Sequence, residues 1–269
     1  MSKNPFIRWT IYVGVAIVFA IVCGFLANWQ FDRSEGRNEE IAIVEQNYER
    51  EPVPFDEAVA DSDVFDPQTE WLPVTLEGHY LVGEQLLARN RPHGGSSAFE
   101  VLVPFELTDG RIIIVNRGWV APGEGPLPDY IPEPPSEESV TVVVRLRPTE
   151  MVPRSGRGAP EGQVPTINLP AIAEITGENT ITTVYGLMVS ENPAVADVPH
   201  KVDPPTEDPG PHLSYAIQWI LFAIMGFIFI IYIIRTERAQ RREDAGGPAV
   251  KVKRRRDADA EQEDALLDA

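Results

Sequence analysis

Two runs without a charged residue, one near each end of the chain, dominate its pattern of hydrophobic and polar positions. The first extends from Trp9 to Phe31, between Arg8 and Asp32, and the second from Leu213 to Ile234, a run of 22 residues. At about 1.5 Å per residue the second gives roughly 33 Å of helix, enough for a hydrocarbon core of about 30 Å. Both runs therefore predict transmembrane helices, over 9–31 and 213–234. The first is too long for the apolar core of a signal peptide, and no small-x-small cleavage site follows it at Ala27-Asn28-Trp29, so it predicts a retained anchor. Pro211 suits the first turn of the second helix, where its missing N–H is not needed. Ala16, Ala20 and Gly24 recur every fourth residue, with Ala27 beyond, and the second run carries Ala216, Ala223 and Gly226. Small side chains in such rows let helices approach closely, so the two spans are expected to pack together.

The pattern changes between the runs. Ser34 to Glu51 is charged, with Ile41, Val44 and Tyr48 spaced three and four apart, which predicts a surface helix ended by Pro52 and Pro54. Six later stretches are rich in β-branched and aromatic residues and predict strands: 71–80, 85–90, 99–107, 111–119, 140–146 and 182–189. Thr108-Asp109-Gly110 supplies a hairpin turn and Gly94-Gly95 another. Leu169 to Thr176 predicts a short helix, capped by Asn168 with Pro170 in its first turn. Residues 121–135 and 193–211 each hold six prolines and predict extended connections. The fold class expected is a membrane protein of α+β type: two transmembrane helices flanking a mainly antiparallel, barrel- or sandwich-like β domain over 32–211.

Charge sets the expected orientation. Lys3 and Arg8 precede the first run, and Arg235, Arg238, Arg241 and Arg242 follow the second. Both termini are thus expected in the cytoplasm, the central domain outside, and the protein in the cell membrane with two spans. The segments 1–8 and 235–269 become cytoplasmic tails, the second too poor in apolar residues to fold, its basic part lying against lipid headgroups. Of 23 basic and 41 acidic residues, 12 and 32 fall between 32 and 211, a net of −20 for that segment. Such a charge disfavours nucleic acid and suits either a cationic partner or simple solubility. The single cysteine, Cys23, lies inside the first run, so neither an intramolecular disulfide nor a thiolate metal site can form.

Candidate chemistry gathers at the outer ends of the runs. His212, Tyr215 and Trp219 share one helical face, an arrangement open to ligation or to simple interfacial anchoring. Trp29, Gln30 and Arg33, at the outer end of the first run, are expected at a similar depth. With Leu86-Leu-Ala-Arg-Asn-Arg91 and the Asn116-Arg-Gly-Trp-Val120 run, these stretches resemble, in order and topology, the Surfeit locus protein 1 family of cytochrome c oxidase assembly factors. The resemblance covers both runs and most of the segment between them. The chain departs from the family pattern at Ala27, where a Gly is usual, at Pro211, where an Asn is usual, and in its acidic tail.

The resemblance implies a membrane assembly factor for haem-copper cytochrome c oxidase that binds haem a and assists its delivery or insertion. Its implied partners are oxidase subunit 1 and haem a synthase. It makes His212 the axial ligand, with Tyr215, Trp219, Trp29 and Gln30 around it and Arg33 and Arg117 as cations for the haem propionates. An imidazole nitrogen is a suitable iron ligand, and guanidinium groups suit carboxylates. For Arg117, a strand-end residue beside Gly118 and Trp119, stacking or ion pairing within the fold is the competing role. A second function class is an accessory structural subunit that docks on the oxidase or on cytochrome c without a cofactor. No Ser-His or Ser-Lys pairing, phosphate loop or clustered carboxylate motif is present in the sequence, which points to a non-enzyme.

Overall fold

A computed structural model describes residues 5–60, 62–153, 156 and 158–245. Of the tail 235–269, expected to be unfolded, residues 235–244 are helical instead, and residues from 246 lie outside the described residues. The chain divides into two compact units, 1–35 with 210–269 and 36–209.

The first unit is a pair of long helices. Helix α1 runs from Pro5 to Asn47 and α4 from His212 to Asp244, and both are long and apolar enough to cross a membrane. Each outlasts its apolar run: α4 continues ten residues past Ile234, with Arg241 and Arg242 in its last turn, where cations suit the helix dipole. The helices are antiparallel, joined at one end by Gln30 with His212 and at the other by Glu237 with Arg8 and Trp9.

Their contact follows a seam in steps of three and four, which keeps one face of a helix toward its neighbour. On α1 the least accessible positions include Ala16, Ala20, Cys23, Ala27 and Gln30; on α4 they include His212, Ala216, Trp219, Ala223 and Gly226. Ala216 and Cys23 are wholly buried. Gly24, expected in the small-residue row, is exposed, because a strict step of four drifts off the face that steps of four and three maintain. At Gly226 the missing side chain admits Phe19, whose ring carbon lies 3.1 Å from where a Cβ would stand.

The second unit is a mixed α+β domain around an eight-stranded sheet. Its strands are β1 (Val53–Pro54), β2 (Pro73–Tyr80), β3 (Leu86–His93), β4 (Ser96–Leu107), β5 (Ile112–Val120), β6 (Val140–Pro148), β7 (Gln163–Val164) and β8 (Val184–Asn192). They pair in the order β1-β2-β6-β8-β5-β4-β3-β7, and β2 pairs also with β4. The circuit β2-β6-β8-β5-β4 thereby returns to its first strand. Gly78 permits the return: a Cβ there would sit 1.9 Å from the carbonyl oxygen of Glu106. The sheet is mixed, since β5 and β8 run parallel, as do β1 with β2 and β3 with β7. The parallel β5–β8 pair is possible because residues 121–183, which include β6, β7 and a short helix, separate the two strands in sequence.

All six expected strands form, each shifted by a few residues. The expected short helix forms as α3 (Leu169–Thr176), with Asn168 Oδ1 accepting from the Ala171 N–H, and a four-residue helix α2 (Phe55–Ala58) forms that the sequence pattern did not predict. The pleat divides the core in two. Val74, Leu76, Phe105, Ile113, Val142 and Val144 fill one side. Leu86, Ala88, Leu102 and Ile114 point to the other, where Leu169 and Ile172 of α3 cover them. Each of those two fully buried helix side chains contributes about 1.5–3 kcal/mol. The later part of α1 meets the sheet through Asn47, whose amide donates to the carbonyls of Gln68 (2.7 Å) and Glu70 (2.9 Å). Arg145 and Arg147 lie over the rings of Tyr48 and Trp71 beside it.

Candidate functional site: a histidine clasp between two helices

The seam of the helix pair ends in polar residues. Steps of four and three from Cys23 and Ala27 bring Gln30 to the contact face of α1, and the same periodicity puts His212 opposite it in the first turn of α4. Their side chains meet, with His212 Nδ1 and Gln30 Oε1 3.0 Å apart. An amide oxygen can only accept, so Nδ1 carries the proton and, in a neutral ring, Nε2 carries the lone pair.

What faces that second nitrogen is set by Gly210. It has a positive φ of 70°, a conformation that favours glycine. A Cβ on it would lie 3.8 Å from His212 Nε2 and 3.7 Å from Cδ2. Gly210 thus passes the ring with backbone and no side chain of its own. The sequence reading noted Pro211 and His212 and missed Gly210; a glycine directly before the Pro-His pair was the available signal.

The other candidate residues are distributed unevenly. Arg33 follows Gln30 by three residues, on the same face of α1, and is exposed. Trp29 and Tyr215 are largely exposed, at 55% and 47%, as suits amphipathic rings at a membrane interface. Trp219 is half-buried and meets Phe222 edge-to-face, with ring centres 5.7 Å apart.

Arg117 belongs to the second unit and is occupied there. The register of β4 and β5 slips between Val101 and Leu102, leaving Arg117 as the extra residue of a bulge. Its fully buried guanidinium holds the Glu191 carboxylate at 2.6 Å through Nη2 and 3.2 Å through Nε. Nη1 donates to the Pro132 carbonyl at 2.8 Å. Tyr80 donates its hydroxyl to the same Glu191 at 3.1 Å, and burial, then the Glu191 charge, pushes its pKa well above the usual value.

The neighbours of Arg117 are engaged in the same way. Asn116 donates to the buried Glu100 at 2.8 Å, and Arg91 and His93 also contact that carboxylate. Gly118 has a φ of 125° and lies against the His200 backbone, where a Cβ would stand 2.3 Å from the carbonyl oxygen. The Trp119 indole stacks with the ring of His93 and packs at a tilt against that of His200, at centre distances of 5.2 and 4.5 Å. The Asn116–Val120 run thus knits strands and a proline-rich connection together. Among the described residues no group of three or more His, Cys, Asp or Glu is placed to hold a metal ion.

Residues 17–224 match the SURF1 family. The chain is 36% identical over 248 residues to an uncharacterised SURF1-like protein of Mycobacterium tuberculosis strain ATCC 25618 / H37Rv, covering 89% of each. A SURF1-like protein of Mycobacterium bovis shows the same identity and coverage. The cytochrome oxidase assembly protein SHY1 of Saccharomyces cerevisiae is 28% identical over 143 residues, 51% of this chain and 36% of that one. The family match takes in the sheet domain and part of each apolar helix, well over half of the chain, and the chain belongs to the SURF1 family.

Proposed function

We propose that this chain is a membrane assembly factor for haem-copper cytochrome c oxidase, which binds haem a through His212 and assists its delivery or insertion. Family membership and the likeness to a yeast cytochrome oxidase assembly protein support the assembly role. The observation that carries the haem reading is the clasp itself. One ring nitrogen of His212 is engaged by Gln30 and the other faces a residue without a side chain. A neutral imidazole with one nitrogen hydrogen-bonded and the other approachable is the form that ligates iron.

The residues fit the cargo in two further respects. Haem a is largely apolar, and the surfaces flanking the clasp are those of two helices suited to hydrocarbon. Its propionates need cations, and Arg33 is one helical turn from Gln30 and exposed. Arg117, saturated by Glu191 and backbone carbonyls, serves instead to hold the sheet domain. Bound haem supplies the iron centre that the oxidase requires; His212 supplies a ligand and Gln30 a fixed ring orientation. In this reading both helices cross the membrane with their charged Arg8 and Glu237 ends in the cytoplasm, and 36–209 lies outside.

The test is the absorption spectrum of the full chain purified in detergent from haem-a-producing cells. A haem Soret band in the wild type and its loss in His212→Ala, with the sheet domain still folded, is expected. His212→Met should retain part of the band, because thioether sulfur also ligates haem iron. A wild-type spectrum without haem, in a preparation that carries stoichiometric oxidase, would replace this reading by that of an accessory subunit.

A further inference from the structure

We infer that Gln30 is a positioning residue: its amide oxygen fixes the Nδ1–H tautomer of His212, so that a metalloporphyrin is bound through Nε2, on the side of the ring that faces Gly210. The inference rests on the haem reading above for the identity of the ligand, and on geometry alone for the tautomer.

The two imidazole nitrogens point to roughly opposite sides of the ring. With Nδ1 at 3.0 Å from Gln30 Oε1, the side of His212 toward α1 is taken by a hydrogen bond. Nε2 therefore points away from Gln30, out of the seam between the helices, and toward the turn at Gly210. A planar macrocycle cannot enter the seam itself, where Ala27 and Ala216 are buried at 5% and 0% exposure. It would approach from the side of Gly210, a residue that puts no side chain of its own before the ring. The left-handed turn at Gly210 and the amide at Gln30 thus act together: one sets a residue without a side chain beside Nε2, the other accepts the hydrogen bond from Nδ1.

A hydrogen bond to the non-ligating nitrogen also raises the basicity of the ligating one, and loss of such a partner typically lowers metal affinity about 10–100-fold. Gln30 is suited to the task because its amide oxygen cannot donate. The neighbouring seam residues Cys23 and Ala27 offer no comparable acceptor.

The experiment uses the full chain in detergent micelles, with 15N-labelled histidine and ferric protoporphyrin IX as the probe. Histidine 15N shifts of the metal-free protein report the tautomer whether or not haem binds. Wild type should show the Nδ1–H form of His212; Gln30→Leu, which keeps the apolar length without the acceptor, should lose that preference. Gln30→Glu, which still accepts the hydrogen bond from Nδ1, should keep it.

In the titration, Gln30→Leu should weaken porphyrin binding by about 10–100-fold. Gln30→Glu should bind with a reduction potential below that of wild type. His212→Ala should bind at background level. An Nε2–H tautomer in the wild type, as a reversed amide would produce, overturns the inference. So does a Gln30→Leu variant whose tautomer and affinity match the wild type. Should the wild type itself not bind the porphyrin, the haem reading fails, and the shifts alone decide the tautomer.

Discussion

Replacing Arg117 by Ala separates a structural from a ligand-binding role for this residue. In the folded domain its side chain is fully inaccessible and Glu191 is 2% exposed, so the variant leaves a carboxylate buried with only the Tyr80 hydroxyl beside it. Removing one member of such a pair costs about 3–5 kcal/mol. For a domain of this size each kcal/mol shifts the midpoint by about 2–4 °C, so a fall of roughly 6–20 °C is expected. Calorimetry and near-ultraviolet circular dichroism of the full chain would measure it. The double variant Arg117→Met/Glu191→Leu should recover much of the loss, since apolar replacement of a buried pair is commonly neutral or better. Arg117→Ala should also release the proline-rich connection held through Pro132, making it more sensitive to protease. An Arg117→Ala protein as stable as wild type, or one whose haem spectrum changes while its midpoint does not, would refute the assignment.

Other consequences are accessible to similar measurements. Gly78→Ala should cost more than 2 kcal/mol, since its Cβ would collide with the Glu106 carbonyl, a steric fault among the severe kinds. Amide exchange at Leu81 and Thr108, whose N–H groups bridge β2 and β4, should then accelerate. Asn168→Ala removes the cap of α3 and should cost about 1 kcal/mol in a denaturant titration. Burial pushes the Tyr185 phenol up to about 12, and Tyr80 is raised as well. A raised folded pKa stabilises below the unfolded value of about 10 and is lost as pH rises through the folded one. Stability should therefore fall above about pH 10, with a late phenolate absorbance step that Tyr185→Phe removes. Burial alone would raise Glu150, but the Arg91, Thr166 and Ile167 donors outweigh it and hold the carboxyl below its ordinary range. Its contribution should be complete above that range and lost as pH falls from there through the lowered folded value, and Glu150→Gln should flatten the acid limb of the stability profile.

Local pattern alone determined much of this protein. Two uncharged runs of helical length, alternating β-branched stretches and an Asn-Leu-Pro start to a short helix each carry their own physical constraint within a few residues. The elements therefore stand where periodicity, turn glycines and a capping side chain put them. The helix ends were less legible, because α1 and α4 continue into charged sequence where hydrophobicity no longer marks the helix and continued backbone hydrogen bonding does. The parallel β5–β8 pairing and the β2–β4 contact were beyond reach, as the first joins strands far apart in sequence and the second depends on the space at Gly78.

The same division runs through the candidate site. His212, Gln30 and Arg117 stand out in the sequence as residue types suited to a haem, but type does not fix partnership. The bulge at Arg117 aims its guanidinium at Glu191, 74 residues away, and that ion pair gives the residue its part in the fold. The seam between the helices brings Gln30 to His212 across 182 residues and chooses which imidazole nitrogen is held. Only tertiary structure decides such contacts, because side chains distant along the chain meet where backbone geometry, and not local preference, places them.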